Sequence, residues 1–555
     1  MTGYIFKKKV KGHTYYYAGE SKRFGKTTRR IWEMYLGSFD KIVEKMKEEI
    51  LLPDETFSTP YGLYSAFVEI AKEINFVNTI DKIYPKRNQG LAIGEYFLLG
   101  ILARLMKPKT KSLIKEWYDK KNIYKIYPVD SEYLTGQNYW NNIESIDVEK
   151  LNDIHTLLIQ NIRKIYDNKT NYIYFDPSNF HTFIQTISDS STIPKNGNSK
   201  KKRYDLRQVN LALSVTKEDG FPIYEKTYAG NINDVTFLKE NLDNILEHIK
   251  INFKNENVVI VFDKGNNSEK VFEILSDEKY SSIDFIGSIR PSTQQNIFNI
   301  PIDELDDSFE TDSGNTVYFK PVSVKVYGKK YRAALTFDEN TYRKRNYKFN
   351  ENMENELEEV NEFIELKLNI KKWRKKENVE QKLKNFIGKK DIKNIMNFNV
   401  MGEYSNLMVS PYCVIKEFEK VERNWGKNLV FTSLEKEDLV DVIKGYRSKN
   451  DIETCYKMLN NNYLISIQPI NHWTDKMIIV HNAICVLGLL MVQIIRRKLK
   501  DVGIKMSIEE VFERLSDVPL VKLHYKNHKT IYKIGTMDKI TLRVAKVLNV
   551  KLKID

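Results

Sequence analysis

Cysteine is scarce in this chain of 555 residues, and its spacing argues against two kinds of site. Three cysteines occur, at Cys413, Cys455 and Cys485, and no two of them form a CxxC pair. Three widely separated cysteines provide neither an even-numbered disulfide framework nor the paired thiolates that are typical of structural zinc. The composition therefore predicts a reduced, cytosolic setting without a zinc site.

Long apolar runs are also few. Residues Met1–Lys9 carry three lysines and contain no apolar signal core. One run, residues 477–495, is long enough to span a membrane, but it contains His481, Asn482 and Gln493. We expect this run to form a buried helix in the core of a large domain, and a membrane span is the alternative.

Positive charge is in excess. Lys and Arg number 88 against 74 Asp and Glu, which gives a net charge of +14 and a pI near 9.1. A basic surface predicts a polyanionic partner, with nucleic acid as the first choice. The alternative is a lysine-rich composition that serves solubility alone. The hydrophobic content of 41% indicates a globular protein, and the length suggests about three to four domain-sized units.

Changes in hydrophobic periodicity divide the chain into six segments, and the overall fold class is predicted to be α/β. The segments are a small basic β-unit plus helix (1–50), a mainly helical region that could bind DNA (51–170), the first part of an α/β core (171–289), an insertion of strands and a long charged helical arm (290–440), the last part of the core (441–500) and a C-terminal region (501–555).

Within the core, apolar runs and turn residues predict the order β-β-β-α-β-α-β. The predicted strands cover 172–176, 208–215, 222–228, 258–263 and 283–286, and the predicted helices begin near Asn233-Asp234 and Ser268. The run 258–262 is continuously apolar, which is typical of a strand that is buried on both faces.

This pattern marks three acidic residues as candidates for a site. Asp176 and Asp263 each end a predicted strand, and Glu453 lies on a predicted helix. Open α/β sheets carry their sites at the carboxyl ends of strands, so the three acids can converge in a cleft. Ligand sets of oxygen alone suit Mg²⁺ or Mn²⁺. The alternative for either aspartate is that it only caps the turn after its strand.

The helix around Glu453 has two faces. At about 100° per residue, four polar side chains lie within roughly 60° of one another: Tyr446, Lys449, Glu453 and Asn460. An adjoining stripe is apolar: Ile452, Tyr456 and Leu459. Glu453 would then ligate a metal while Lys449 and Tyr446 meet DNA phosphates. The alternative is an ordinary amphipathic helix with a surface glutamate.

Taken together, these motifs resemble the DDE transposases of prokaryotic insertion sequences, in the IS-four superfamily. The matching motifs are Phe175-Asp176 with Ser178, Ser199–Gln208, Asp219–Pro222, Ala229–Asp234, Val261–Gly265, the Tyr446-x2-Lys449-x3-Glu453-x6-Asn460 signature and Gln468–Trp473. The resemblance covers about 170–500, and the N-terminal β-unit is also similar to members of one branch.

This resemblance implies a fold and an activity. The fold would be an RNase H-like catalytic core with a β-rich plus helical insertion, preceded by a mainly helical N-terminal region. Asp176, Asp263 and Glu453 would be the metal-binding triad, holding two Mg²⁺ ions, for which Mn²⁺ can substitute. The activity would be cleavage of insertion-sequence ends and strand transfer into target DNA, of the cut-and-paste type.

The resemblance also implies partners and a location. These are double-stranded DNA at the terminal inverted repeats and the target, a homodimer in the DNA complex, no membrane, and a cytoplasmic, nucleoid-associated setting. Further basic residues would hold the DNA backbone: Lys200, Lys201, Lys202, Arg203, Arg207 and Arg343–Arg345. Trp473 would stack on an unpaired base, with burial in a core corner as the alternative.

Two positions depart from the family signature, which has Arg where this chain has Lys449 and Lys where it has Asn460. Lys449 retains the charge but loses the guanidinium fork, and Asn460 loses a charge. Two alternatives therefore stand beside the transposase: a metal-dependent DNA nuclease on the same fold that performs no strand transfer, and a catalytically silent DNA-binding remnant.

Overall fold

The computed structural model describes residues 3–48, 53–86, 90–166, 171–184, 188–254, 256–386, 392, 394–525 and 530–554. The chain is a mixed α/β protein and forms two compact units. The first unit comprises Met1–Ala66, Asp119–Pro128 and Glu513–Asp555. The second comprises Phe67–Tyr118 and Val129–Phe512.

The strands and helices are numbered in chain order. The strands are β1 (Tyr4–Val10), β2 (His13–Phe24), β3 (Thr27–Gly37), β4 (Glu55–Pro60), β5 (Tyr172–Thr182), β6 (Arg207–Thr216), β7 (Pro222–Ala229), β8 (Val258–Val261), β9 (Ile283–Ile289), β10 (Asp307–Glu310), β11 (Thr316–Val326), β12 (Lys329–Asp338), β13 (Met396–Met401), β14 (Met408–Cys413), β15 (Lys427–Thr432), β16 (Pro519–His524) and β17 (Ile531–Ile534). The helices are α1 (Phe39–Glu48), α2 (Gly62–Glu73), α3 (Phe76–Ile83), α4 (Ile93–Leu102), α5 (Ile114–Lys120), α6 (Gly136–Glu144), α7 (Leu151–Ile165), α8 (Asp234–Asn252), α9 (Glu269–Leu275), α10 (Gln295–Phe298), α11 (Glu339–Lys367), α12 (Lys376–Phe386), α13 (Ile415–Glu422), α14 (Leu439–Arg447), α15 (Asn450–Asn460), α16 (Asp475–Asp501), α17 (Ile508–Ser516) and α18 (Lys539–Val547).

The first unit contains two small antiparallel sheets. β1, β2 and β3 form a meander whose turns use Gly12 and Gly25, both with positive φ. The second sheet has the order β17-β16-β4. The strands and the helix predicted within residues 1–50 are therefore confirmed in β1, β2, β3 and α1. The division of the chain into six segments stays a prediction.

The second unit is built around a nine-stranded sheet with the order β10-β11-β12-β15-β9-β8-β5-β6-β7. β5, β8 and β9 are parallel to one another, and all other neighbouring pairs are antiparallel. β8 is buried at every residue, as its continuous apolar sequence predicts. This sheet carries the acids Asp176 and Asp263 and so positions the candidate site.

The predicted order β-β-β-α-β-α-β is confirmed from β5 to β9. Its turn and cap signals act as expected. β6 and β7 form a hairpin whose turn uses Glu218 and Gly220 at positive φ. The Asn233 side chain accepts a hydrogen bond from the Thr236 amide and so caps α8. Local chemistry was sufficient at these positions because each signal acts within a few residues.

The prediction that the first core strand ends at Asp176 is wrong, because β5 continues to Thr182. Its second half pairs with β6, up to Thr182 opposite Arg207. Pro177 obscured this extension in the sequence, since proline is rare inside central strands. β5 pairs with β8 only from Tyr172 to Tyr174. Pro177 lies beyond this pairing, so its missing N–H removes no hydrogen bond to β8.

The predicted insertion contains strands and long helices, as expected, but it is not a separate layer. β10, β11, β12 and β15 extend the central sheet beyond β9. The 29-residue helix α11 is more than a solvated arm, because Val360 and Phe363 pack in a buried cluster with Val379 and Leu383 of α12.

α16 contains the apolar run that could span a membrane by length and composition. In the described structure 94% of its most apolar window is buried inside the protein, which agrees with the predicted buried helix. Its polar side chains have internal partners: the Asn482 amide donates to Thr227 Oγ1 at 3.0 Å, and the Gln493 amide donates to Cys455 Sγ at 3.1 Å. Buried polar groups require such partners.

Glu225, on β7, gives the fold a testable pH dependence. Its side chain is 2% exposed, and burial raises its pKa to about 8. The folded state therefore holds a proton that the unfolded chain releases from about pH 4.5 upwards. The carboxyl group thus destabilises the fold increasingly as the pH rises from about 4.5 to 8.

We expect Glu225→Gln, which needs no proton to be neutral, to raise the free energy of unfolding by about 3 kcal/mol at pH 7. The gain should disappear near pH 4.5. Denaturation midpoints between pH 4.5 and 8 measure it, with the exposed Glu240→Gln on α8 as the matched control. A pH-independent difference between the two variants would contradict the burial argument.

Candidate active site

The register of two parallel strands brings Asp176 and Asp263 to the same level of the sheet. Tyr172 pairs with Val259 and Tyr174 pairs with Val261. Asp176 lies two residues after Tyr174, and Asp263 lies two residues after Val261. Asp263 retains an extended backbone conformation. Alternate residues of a strand point to the same face. The carboxylates are therefore neighbours, and the charge of Asp263 contributes to raising the pKa of Asp176.

Asp176 is the less solvated of the two acids. Burial raises its pKa to about 6, the positive charge of Lys200 opposes this rise, and the charges of Asp234 and Asp263 add to it. Within the described ranges, no hydrogen bond to its carboxylate is recorded. Its oxygens are thus free for a ligand.

Asp263 has two cationic or polar partners on one oxygen. The Tyr446 hydroxyl donates to Oδ1 at 2.9 Å, and Lys449 Nζ donates to the same atom at 3.1 Å. Burial raises its pKa, but the charge of Lys449 and these two hydrogen bonds outweigh that effect and hold the pKa below its usual value. Asp263 is therefore ionised at neutral pH.

The prediction of one helix from Tyr446 to Asn460 is wrong, because α14 ends at Arg447 and α15 begins at Asn450. The Ser448 hydroxyl bonds back to the Lys444 carbonyl, and the Lys449 amide bonds to the Tyr446 carbonyl. These local bonds interrupt the regular ladder. Periodicity alone does not reveal such a break, since both helices keep their apolar residues buried.

Tyr446 and Lys449, on either side of the break, both contact Asp263. Tyr446 is 5% exposed, its hydroxyl bonds to Ser288 Oγ at 2.7 Å as well as to Asp263, and burial raises its pKa to about 12. The expectation that Tyr446 and Lys449 meet DNA phosphates stays a prediction. In the structure both side chains orient Asp263.

α15 is anchored directly to the strand that carries Asp176. The Tyr456 hydroxyl donates to the carbonyl of Asp176 at 2.6 Å and to that of Leu211 at 2.9 Å. Ile452, Tyr456 and Leu459 are buried, which confirms the predicted apolar stripe. Glu453 lies on the same helix, four residues after Lys449 and three before Tyr456.

Glu453 is exposed, and its carboxylate does not meet the two aspartates. Among the residues whose placement is described, no group of three or more His, Cys, Asp or Glu side chains is positioned to hold a metal ion. The structure thus brings Asp176 and Asp263 together and leaves Glu453 on the adjoining helix.

Asp234 is a fourth acid near the site, and its sequence context predicts only the start of a helix. It is the first residue of α8, and its charge raises the pKa of Asp176. The Tyr228 hydroxyl donates to its Oδ1 at 3.4 Å. Its presence in the motif Ala229–Asp234 was the one signal that could have marked it as a site residue.

The predicted DNA-binding residues on the loop before β6 differ in their surroundings. Lys200 Nζ donates to the Pro177 carbonyl at 2.6 Å, and Lys201 Nζ donates to Asn460 Oδ1 at 2.8 Å. Lys202 is exposed, whereas Arg203 is paired with Asp205 at 2.7 Å. Two of the four cations are therefore held at the site.

The remaining predicted DNA contacts are Arg207 and Trp473. Arg207, at the start of β6, is half-buried and has one buried guanidinium nitrogen without a recorded hydrogen-bond partner. Trp473 is 66% exposed, so its alternative placement in a core corner is wrong. Its neighbour His472 is the buried residue.

A cavity of ≈ 1070 Å³ adjoins Asp263, between the core and the inserted strands. Its lining contains seven lysine or arginine residues against five aspartates or glutamates. On the insertion side Arg447 is paired with Asp338 at 2.6 Å. The excess of cations suits an anionic ligand.

No family model matches the chain, and no curated protein matches it. Among solved structures, the chain is similar to the piggyBac transposase in its synaptic complex with hairpin DNA. The sequence identity is 10%, the TM-score is 0.37, and the alignment covers 83% of this chain and 82% of that chain.

We expect Tyr456→Phe to lower the free energy of unfolding by about 1 to 3 kcal/mol, because it removes the donor to two carbonyls. Hydrogen exchange should also become faster around Asp176 and in α15. The control is Tyr463→Phe, since Tyr463 is 61% exposed. Equal stability and exchange in the two variants would show that Tyr456 does not anchor the helix.

Proposed function

We propose that this protein is a DDE transposase, which cleaves the ends of an insertion sequence and transfers them into target DNA with the help of a divalent metal ion. One observation carries the proposal: Asp176 and Asp263 lie at one level of adjacent parallel strands, and the helix of Glu453 is fastened to both positions. Lys449 contacts Asp263, and Tyr456 contacts the Asp176 carbonyl.

An RNase H-like core is part of this proposal. Three antiparallel strands, β7, β6 and β5, continue into the parallel strands β8 and β9, with α8 and α9 in the connections. This arrangement supports the fold that the resemblance to the IS-four superfamily implies. Of the two acids of the core, Asp176 then lies on β5, and Asp263 lies two residues beyond the end of the adjacent β8.

The donor atoms fit a divalent cation of the hard, oxygen-binding kind. Asp176 and Asp263 offer carboxylate oxygens. Burial is the main cause of the raised pKa of Asp176, the charges of Asp234 and Asp263 add to it, and a bound cation would relieve this repulsion. We propose that Asp176, Asp263 and Glu453 hold two Mg²⁺ ions, or Mn²⁺ in their place. When bound, these ions would activate the attacking oxygen and stabilise the leaving oxygen.

The chain's own residues prepare this chemistry. Lys449 and Tyr446 keep Asp263 ionised and orient its Oδ1. Lys200 provides positive charge beside Asp176. The basic cavity next to Asp263 would accept the phosphate backbone of double-stranded DNA.

The partners and setting follow the same proposal. Terminal inverted repeats and target DNA would bind to a homodimer, in the nucleoid-associated cytoplasm. Trp473, being exposed, is available to stack on an unpaired base.

Lys201 contacts one of the two positions at which the chain departs from the family signature. The signature has a lysine at the position of Asn460, and Asn460 Oδ1 instead receives the ammonium group of Lys201. A positive charge therefore occupies the same place on the helix face, supplied by a different segment. We propose that Lys201 performs the role of the missing lysine.

The triad is tested with purified protein, duplex DNA that carries the element's ends, and Mg²⁺ or Mn²⁺. We expect Asp263→Asn and Glu453→Gln each to reduce metal-dependent cleavage by on the order of 100-fold or more, while DNA binding persists. Asp441→Asn, an exposed acid on α14, is the matched control and should cleave normally.

The products separate the transposase from its alternatives. Joined products support strand transfer, whereas cleavage without joining would favour the metal-dependent nuclease. End binding without cleavage by the unaltered protein would favour the silent DNA-binding remnant.

The exchange of Lys201 and Asn460 gives a second test. We expect Lys201→Asn to reduce cleavage about tenfold, as the loss of one charged contact worth about 1.4 kcal/mol would. The double variant Lys201→Asn/Asn460→Lys should restore it, because the charge returns to the same place. Lys202→Asn, at an exposed neighbouring position, is the control. Failure of the double variant to recover cleavage would refute the proposal that Lys201 performs the role of the signature lysine.

A further inference from the structure

Positive charge is concentrated in the N-terminal sheet. Residues 1–37 contain nine Lys and Arg and two Glu, a net charge of +7, which is half of the +14 of the whole chain. This stretch forms the antiparallel sheet β1-β2-β3 within the first unit. This concentration of positive charge in about one fifteenth of the chain indicates an anionic partner and exceeds what solubility requires.

One face of this sheet, the paired face, satisfies its own charges. Lys8 and Arg30 both pair with Glu33. Arg30 also stacks on Phe6, with its guanidinium carbon 3.8 Å from the ring centroid. The aromatic rings on this face contact one another: Phe6 with Tyr17, and Tyr35 with both Tyr15 and Tyr17.

The opposite face, the basic face, carries four cations: Lys7, Lys9, Lys22 and Arg29. The cross-strand register assigns them to it, since Lys7 pairs with Tyr16, Lys9 with Thr14 and Lys22 with Arg29. All four are exposed, and among the described residues no hydrogen bond or ion pair is recorded for any of them. Lys8 and Arg30 on the paired face thus have an acidic partner within the sheet, whereas the four cations of the basic face are exposed to solvent.

Two features of the basic face indicate a partner. Lys22 and Arg29 lie directly opposite each other on adjacent strands, and like charges in such a pair destabilise a sheet unless an anion compensates them. Exposed apolar side chains lie between the charged ends: Ile5 (66% exposed), Trp32 (41%) and Met34 (54%). One acid, Glu20, lies among them opposite Trp32 and accepts a hydrogen bond from Trp32 Nε1 at 3.2 Å, so the face carries four cations against one acid. Charge at both ends with apolar contacts between them suits a polyanion that has a partly apolar surface.

The dimensions match the major groove of duplex DNA. Three strands about 4.8 Å apart make a face roughly 10 Å wide, and the major groove is about 12 Å wide. From Thr14, opposite Lys9, to Lys22 the strand advances about 27 Å, which corresponds to roughly eight base pairs. Phe39 of α1 contacts this face at Tyr16, near one end, and leaves the four cations exposed.

We propose that the basic face of β1-β2-β3 binds duplex DNA in the major groove. Lys7, Lys9, Lys22 and Arg29 contact phosphates, and Ile5, Trp32 and Met34 lie against base edges, where thymine methyl groups offer apolar contacts. This inference rests on the proposed function, in that the DNA is the element's end, and it assigns DNA recognition to a module outside the carboxylate site.

The test uses the full chain with all four cations changed to glutamine: Lys7→Gln, Lys9→Gln, Lys22→Gln and Arg29→Gln. The matched control removes the same charge from exposed lysines of the C-terminal segment: Lys533→Gln, Lys539→Gln, Lys546→Gln and Lys551→Gln. Binding to a 30-base-pair duplex with the end sequence is measured by fluorescence anisotropy between about 50 and 200 mM salt.

The basic-face variant should lower the slope of log K against log salt by roughly 3 to 4, since each lost phosphate contact contributes about 0.9. The control should retain nearly the full slope. A charge-preserving variant with Lys7→Arg, Lys9→Arg and Lys22→Arg should bind like the unaltered protein. Equal losses in the basic-face variant and the control would overturn the proposal.

Two further outcomes distinguish this inference from the proposed function. An A-form RNA duplex of the same sequence should lose little affinity in the basic-face variant, because its major groove is too narrow for the sheet, and an equal loss would refute groove binding. Metal-dependent cleavage at saturating DNA should survive in the basic-face variant. Duplex binding without any cleavage by the unaltered protein would refute the proposed function while this inference stands.

Discussion

The pairing of three residues of β5 with β8 is the constraint on which the candidate site depends. Tyr172 to Tyr174 lie beside Val259 to Val261 in parallel register, and this register alone brings Asp176 and Asp263 together from positions 87 residues apart in the chain. A slip of one residue would turn one carboxylate to the other face of the sheet. The buried apolar side chains of β8 prevent that slip, because they would then lose their places in the core.

Placing two carboxylates side by side costs electrostatic free energy, and nearby positive charges offset this cost. Lys449 neutralises Asp263, Lys200 contributes positive charge near Asp176, and Tyr456 fastens α15 to the same strand through a backbone carbonyl. The interruption between α14 and α15 belongs to this arrangement, since it directs Tyr446 and Lys449 to one oxygen of Asp263. Glu453 is left exposed on the helix that these contacts hold in place.

Much of the core could be predicted because its signals are local. The apolar run of β8, the turn at Gly220 and the Asn233 cap each act over a few residues, and each was confirmed. The extension of β5 past Pro177 could not be predicted, because proline is tolerated there only where the β8 ladder has already ended. The place of Asp234 beside Asp176 was missed because it depends on contacts between segments distant in sequence. The helix break at Ser448 was missed because both helices keep their apolar residues buried, so the periodicity continues across it.

The sequence by itself determined the order of strands and helices, the acids Asp176 and Asp263, the buried stripe of α15 and the excess of positive charge at the N-terminus. These properties follow from residue type and spacing along one stretch of chain. Only the tertiary structure decided that Tyr446 and Lys449 orient Asp263, that Lys201 reaches Asn460, and that the cations of the N-terminal sheet divide into a paired face and a basic face. Each of these is a choice of partner, and hydrogen bonds and ion pairs select partners by distance in space, which periodicity does not encode.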